Sequence, residues 1–222
     1  MKSLLKVILI IGLCSASTFF LVQMTGIINV EKIEAWFNQI SDTSLIYLGF
    51  FVILLMFVDL FISIPTLATI ILAGYFMGYH YGALAAIIGL QIAGNTGYLL
   101  GKIFGDKILY LILKNKAERD ELHESFNSHG FVMILLSRAV PILPEITTVI
   151  AGMSKMSYLK FLLAWSISIT PYSLFAAYAG SLSTLRNPEP AIIVWAILSS
   201  ILWTGWYIFN RKRKAYGYAP KD

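Results

Sequence analysis

Apolar residues in this chain come in blocks of membrane-spanning length, and proline, glycine or a short charged interval punctuates them. Residues 4–24 form the first block, close to the ~20 residues that a spanning helix needs. A polar interval from Gly26 to Ser44 follows, carrying Glu31, Lys32, Glu34 and Asp42. Residues 45–78 are apolar but broken by Asp59, Pro65, Gly74 and Gly78, whereas 82–101 contain neither proline nor charge. Between Gly101 and Gly130 the chain turns polar, which predicts a surface amphipathic helix ending near Gly130. Residues 131–157 repeat the broken pattern, and 160–181 and 190–209 are two further apolar blocks.

The two broken stretches resemble each other. Pro65-Thr66-Leu67-Ala68-Thr69 runs on to Ala73-Gly74, and Pro144-Glu145-Ile146-Thr147-Thr148 runs on to Ala151-Gly152. Interrupted apolar segments at corresponding positions of two halves are the pattern left by broken helices that build a transporter site near the bilayer midplane. Lysine and arginine bias sets the orientation. Lys2 and Lys6 place the N-terminus inside, the basic 101–130 stretch also lies inside, and Arg211-Lys212-Arg213-Lys214 returns the C-terminus to the cytoplasm. An odd number of crossings must then connect Ser44 to Gly101, and three full spans would leave the middle one too short for about 30 Å of hydrocarbon. A hairpin over 45–78 dipping in from outside, followed by one crossing, satisfies the count. Residues 131–157 mirror it from the inside, before 160–181 cross outward and 190–209 return.

The expected fold is an all-α membrane protein of about four transmembrane helices plus two oppositely oriented re-entrant helical hairpins, an inverted repeat. Three regions follow: an anchor and short external amphipathic segment over 1–44, a membrane domain over 45–181, and a last helix with a basic tail over 182–222.

Composition agrees. Apolar residues make up 58% and charged residues 13%, with a mean hydropathy of +0.74, too apolar for a soluble domain of this length. The net charge of +5 sits in short loops and the tail, where it signals topology and attraction to lipid headgroups rather than nucleic-acid binding. Ser15-Ala16-Ser17 offers a signal-peptide cleavage site, but apolar character continues through Phe19–Val22, which favours an uncleaved anchor. The single cysteine, Cys14, excludes an intrachain disulfide and is expected to pack. Gly97, Gly101 and Gly105 recur every four residues, as do Gly78 and Gly82, and point to close helix contact. Gln91, Asn95 and Thr96 are expected to bond across helices or to face a wet cavity.

Ionisable groups inside apolar segments each cost about 2.5–3.5 kcal/mol at a helix centre, so they become functional candidates. Asp59, six residues before Pro65, is either a proton carrier or a cap for the helix after the break. Arg138 offers a planar fork of donors suited to a phosphate or carboxylate; alternatively it pairs with Asp59 or Glu145 and locks the hairpins together. Glu145 follows Pro144 and is either part of a site or a first-turn acid on the helix dipole. With Thr66, Thr69, Thr147 and Thr148 these groups could line a polar cleft for a headgroup whose tails stay in the bilayer. No hydrolase motif, metal-binding spacing or ATP motif is present, and His80, His123 and His129 stand apart, so neither an enzyme nor a cofactor is expected. Transport would run downhill or on an ion gradient.

Ala73-Gly74-Tyr75-Phe76-Met77-Gly78, Gly82, Gly89, Asn95, Tyr98, Gly101-Lys102 and Gly105 are followed by His129-Gly130, Arg138-Ala139-Val140-Pro141, Pro144, Ala151-Gly152-Met153, Met156 and Phe161. In order and spacing, over roughly residues 45–180, this set resembles the DedA family, the VTT-domain or SNARE-associated Golgi protein group. The resemblance implies two re-entrant hairpins and movement of a phospholipid or a polyprenyl phosphate between leaflets, as flippase or scramblase, with proton coupling proposed for some bacterial members. It also implies a bacterial inner membrane. Asp59 resembles the family's acid before the first hairpin's proline, and Arg138 its arginine in Arg-x-x-Pro. The chain departs from many bacterial members in having Pro144 in place of a second arginine, and Thr66 and Leu67 in place of an acid. On this reading Arg138, Glu145, Pro65, Pro144, Thr66 and Thr148 contact substrate, and Asp59 and Glu145 carry protons. A carrier of a small soluble solute coupled to protons would use the same residues.

Overall fold

The structure, a computed structural model, describes residues 6–13, 17, 30–40, 44–62, 64–113, 115–139 and 143–183, with isolated positions at 189 and between 193 and 207. Every element among the described residues is helical: α1 Val30–Ile40, α2 Leu45–Val58, α3 Thr66–Ile112, α4 Lys116–Leu136, a 3-10 turn Ser137–Ala139, α5 Leu143–Met153 and α6 Tyr158–Leu182. Most of the first block, Cys14, the body of the last block and the basic tail lie outside the described residues.

The two long helices, α3 and α6, have the length and apolar composition needed to cross a membrane. α3 breaks at Gly78, whose φ of 78° and ψ of 167° are open to glycine but strained for any residue with a Cβ. The chain turns back there, so that Gly82 lies against the backbone of Ala73, nine residues earlier. Gly78 is therefore the turn itself and not part of a glycine face with Gly82, as the four-residue spacing suggested. The limb beyond the break, Tyr79 to Ile112, is about 50 Å long at 1.5 Å per residue and forms the axis of the protein.

Its inner face is made of small residues and its outer face of large ones. Gly82, Ala86, Gly89, Gly97, Gly101 and Gly105 are buried, while Leu84, Ile88, Ile92, Leu99 and Ile103 are exposed. Small residues let backbones approach when no water drives association, and an exposed stripe of Leu and Ile suits a lipid surrounding. α2 and α5 both run parallel to the limb. Gly89 meets Met56 and Gly97 meets Leu60 on one side; Gly97 meets Thr148, Gly101 meets Val149 and Gly105 meets Met153 on the other. α6 runs antiparallel, with Phe161 against Tyr98, Trp165 against Gly94 and Tyr178 against Tyr79. α1 is amphipathic and closes one end through Phe37, stacked on Phe76 at 5.3 Å and edge-on to Phe51 at 5.3 Å.

The polar stretch departs from its sequence reading. It is divided between the end of α3 and α4, with Asn115 capping α4 through a bond from the Ala117 N–H. α4 continues through Gly130 to Leu136, because Gly130 packs under the Phe126 ring and the apolar run Phe131–Leu136 extends the helix instead of ending it. Gln91 and Asn95 bond across to α6, accepting from Ser166 and Tyr158, whereas Thr96 donates to its own helix at Ile92.

Candidate functional site

Both proline breaks fall beside the middle of the central limb. α2 is only about 21 Å long and ends at Asp59, where the chain turns before Pro65 and α3. The Asp59 carboxylate organises that turn. One oxygen accepts from the Ile64 N–H and the other from the Thr66 hydroxyl, both at 2.7 Å, and the side chain is 4% exposed. Asp59 thus ties down the turn ahead of α3, although neither bond goes to a backbone N–H of that helix's first turn, and its oxygens serve the break rather than Arg138.

The second break is built differently. After α4 the 3-10 turn carries Arg138, and α5 restarts at Leu143 with Pro144 buried in its first turn and Glu145 next to it. Thr147 and Thr148 turn their hydroxyls to the carbonyls of Pro144 and Glu145, at 2.8 and 2.7 Å. Thr69 does the same to Pro65 at 3.0 Å. The threonine hydroxyls are therefore occupied as donors by backbone or, for Thr66, by Asp59. Pro65 and Pro144 shape the breaks, and neither lines the cleft.

A narrow cleft opens where the two breaks face each other, lined by Met56, Asp59, Leu60, Leu90, Ala93, Gly94, Glu145, Thr148 and Trp165. It joins two carboxylates, one from each break, that lie far apart in sequence. The Oε2 atom of Glu145 is buried without a hydrogen-bond partner among the described residues. Arg138 stands beside the cleft behind Trp165, its Cζ 5.3 Å from the Trp165 ring centroid and 4.6 Å from that of Tyr172. Its Nε and Nη2 are likewise buried and without partner, and among the described residues it forms no ion pair with Asp59 or Glu145. All three charged groups are nevertheless within electrostatic range of one another and of Tyr172.

Trp165 and Tyr172 were not singled out from sequence. Their signal is a two-turn spacing that puts both rings on one face of α6, and only the fold shows that this face meets Arg138. No group of three metal-ligating side chains lies together among the described residues. His129 bonds to the neighbouring Ser128 at 2.7 Å.

A helical membrane protein is the class these features define, with charged groups buried where two broken helical segments meet against a glycine-faced axis. The chain belongs to the VTT-domain family, whose domain matches residues 64–182, taking in Pro65, Arg138, Glu145, Trp165 and Tyr172 and beginning just after Asp59. It is similar to Protein DedA of Escherichia coli (strain K12), 29% identical over 147 residues that cover 63% of this chain and 67% of the relative. It is also similar to Undecaprenyl phosphate transporter A of Bacillus subtilis (strain 168), 27% identical over 127 residues covering 53% and 64%. A third relative, Uncharacterized membrane protein ML0287 of Mycobacterium leprae (strain TN), is 29% identical over 153 residues, 60% of this chain and 64% of that one. No solved structure matches the chain.

Proposed function

We propose that this protein moves a lipid with a phosphate headgroup, a polyprenyl phosphate or a phospholipid, between the leaflets of a bacterial inner membrane. The observation that carries this reading is the Arg138 guanidinium, buried with two donors unengaged beside a cleft that holds Asp59, Glu145 and Thr148. A buried cation with unpaired donors and no contact ion pair is costly, and an anionic ligand offsets that cost. The relative named as an undecaprenyl phosphate transporter supports a phosphate-bearing lipid as the ligand.

In the membrane, α2 with the first limb of α3, and the end of α4 with α5, are the two re-entrant hairpins. α2 and α5, about 21 and 16 Å long, are too short for about 30 Å of hydrocarbon, and each stops beside the midpoint of a limb that is long enough. With the anchor, the long limb of α3, α6 and the last apolar block this gives four crossings, both termini in the cytoplasm. The cleft then lies near midplane and Arg138 receives the phosphate while the tails remain in lipid. Asp59 and Glu145 are the carboxyls through which protons would couple to the movement.

The test is leaflet exchange of fluorescent phospholipid and of polyprenyl phosphate in proteoliposomes holding the full chain, with and without a pH gradient. Arg138→Ala is expected to abolish exchange. Well-folded protein that exchanges neither lipid overturns the reading. Exchange independent of the gradient removes proton coupling and leaves scrambling.

A further inference from the structure

Trp165 and Tyr172 lie two helical turns apart on α6, about 10.5 Å along the axis, and the Arg138 Cζ is 5.3 Å from one ring centroid and 4.6 Å from the other. The guanidinium therefore sits between the two rings. Aromatic faces attract the charged plate without consuming any of its hydrogen-bond donors. A carboxylate holding Arg138 in place would occupy the fork, whereas the rings hold it and leave Nε and Nη2 uncommitted. Nε and Nη2, the two donors that are buried without partner, lie along the same edge of the fork. That edge can take two oxygens of a single oxyanion side by side.

The clamp is itself held. The indole N–H of Trp165 donates to the Leu90 carbonyl at 3.0 Å, and the ring stacks on Phe161 at a centroid distance of 6.3 Å. It lies so close to Gly94 that a Cβ there would come within 2.2 Å of the indole nitrogen. Only glycine at 94 lets the ring settle against the central limb at the depth where Arg138 meets it.

We propose that Trp165 and Tyr172 are positioning residues that clamp Arg138 between aromatic faces, so that the ligand's phosphate is taken by two of its oxygens on the Nε and Nη2 edge alone. This rests on the reading of the chain as a transporter of phosphate-bearing lipid. Gly94 belongs to the device because it seats Trp165.

The experiment measures exchange rate against lipid content in proteoliposomes, separately for polyprenyl phosphate and for phosphatidylglycerol, with thermal unfolding of each variant in detergent. Trp165→Leu and Tyr172→Leu are each expected to raise the half-saturating lipid content roughly tenfold, a loss in the range of a desolvated cation–π contact. Trp165→Phe and Tyr172→Phe, which keep a ring, are expected to recover most of the loss. Arg138→Lys, a point charge without a fork, is expected to bind as poorly as Arg138→Ala. Tyr172 is only half-buried, so its leucine variant tests the clamp should Trp165→Leu fail to fold. Leucine variants that fold and saturate at wild-type lipid content overturn the clamp and leave the transport reading intact. Normal exchange by Arg138→Ala overturns Arg138 as the phosphate site and the clamp with it, whereas well-folded wild type that exchanges neither lipid overturns the transport reading instead. The same dependence for both lipids shows a phosphate edge common to monoester and diester, and dependence for one alone assigns the clamp to that headgroup.

Discussion

Replacing Asp59 separates its work in holding the turn from any work in transport, because the two substitutions available differ in what they leave behind. In Asp59→Ala the Ile64 N–H loses its acceptor. Ile64 is 4% exposed, so water cannot take over, and a buried donor left unpaired costs about 1–3 kcal/mol. The Thr66 hydroxyl fares better, since it already lies 3.4 Å from the Ile64 carbonyl and is half-buried; its loss is about 1 kcal/mol or less. The expected destabilisation of Asp59→Ala is therefore about 1–4 kcal/mol. Asp59→Asn keeps a carbonyl for Ile64 and offers an amide that can donate to the Thr66 oxygen, so about 1 kcal/mol is expected. Reversible chemical unfolding in mixed micelles measures both, and leaflet exchange is recorded on the same preparations. A stability of Asp59→Ala within about 0.5 kcal/mol of wild type would refute this role in the turn, since that is the scatter of surface substitutions. If Asp59→Asn is stable but does not exchange lipid, the ionisable carboxyl acts in transport. If it is stable and active, Asp59 serves the turn only.

Five further substitutions follow from the packing and the buried charge. A Cβ at Gly101 or Gly152 would stand 2.0 Å from the carbonyl oxygens of Val149 and Tyr98, so Gly101→Ala and Gly152→Ala must force α3 and α5 apart; each is expected to cost about 3 kcal/mol or more in unfolding free energy, whereas Gly49→Ala, 3.5 Å from a methionine methyl, should be neutral or better. Gly78→Ala has open space around it but an unfavourable φ, and is expected to cost about 1–3 kcal/mol by the same measurement. Arg138→Met removes a buried cation whose edge is unpaired and fills similar volume, so it is expected to unfold at equal or higher temperature than wild type while exchange is lost; a large drop in melting temperature would mean that Arg138 serves the fold.

That this is a helical membrane protein could be read without the fold, because apolar block length and mean hydropathy depend only on residue order and composition. The sequence also located both breaks, since proline and the acid beside it interrupt a helix wherever the rest of the chain goes. Asp59, Arg138 and Glu145 stood out because a charge in an apolar block is costly in any fold. Where each group's hydrogen bonds go was decided by tertiary structure. Asp59 turned out to be consumed by Ile64 and Thr66, and the threonines by backbone carbonyls, while Arg138 was left with an open edge between two rings. Glycine spacing was ambiguous for the same reason: Gly78 and Gly82 share the interval of Gly97 and Gly101, yet one pair makes a turn and the other a helix contact. Spacing fixes which residues share a helix face, but what that face meets depends on the neighbouring helices. Trp165 and Tyr172 were silent in the sequence because an aromatic in an apolar helix is ordinary until a charge is found against it.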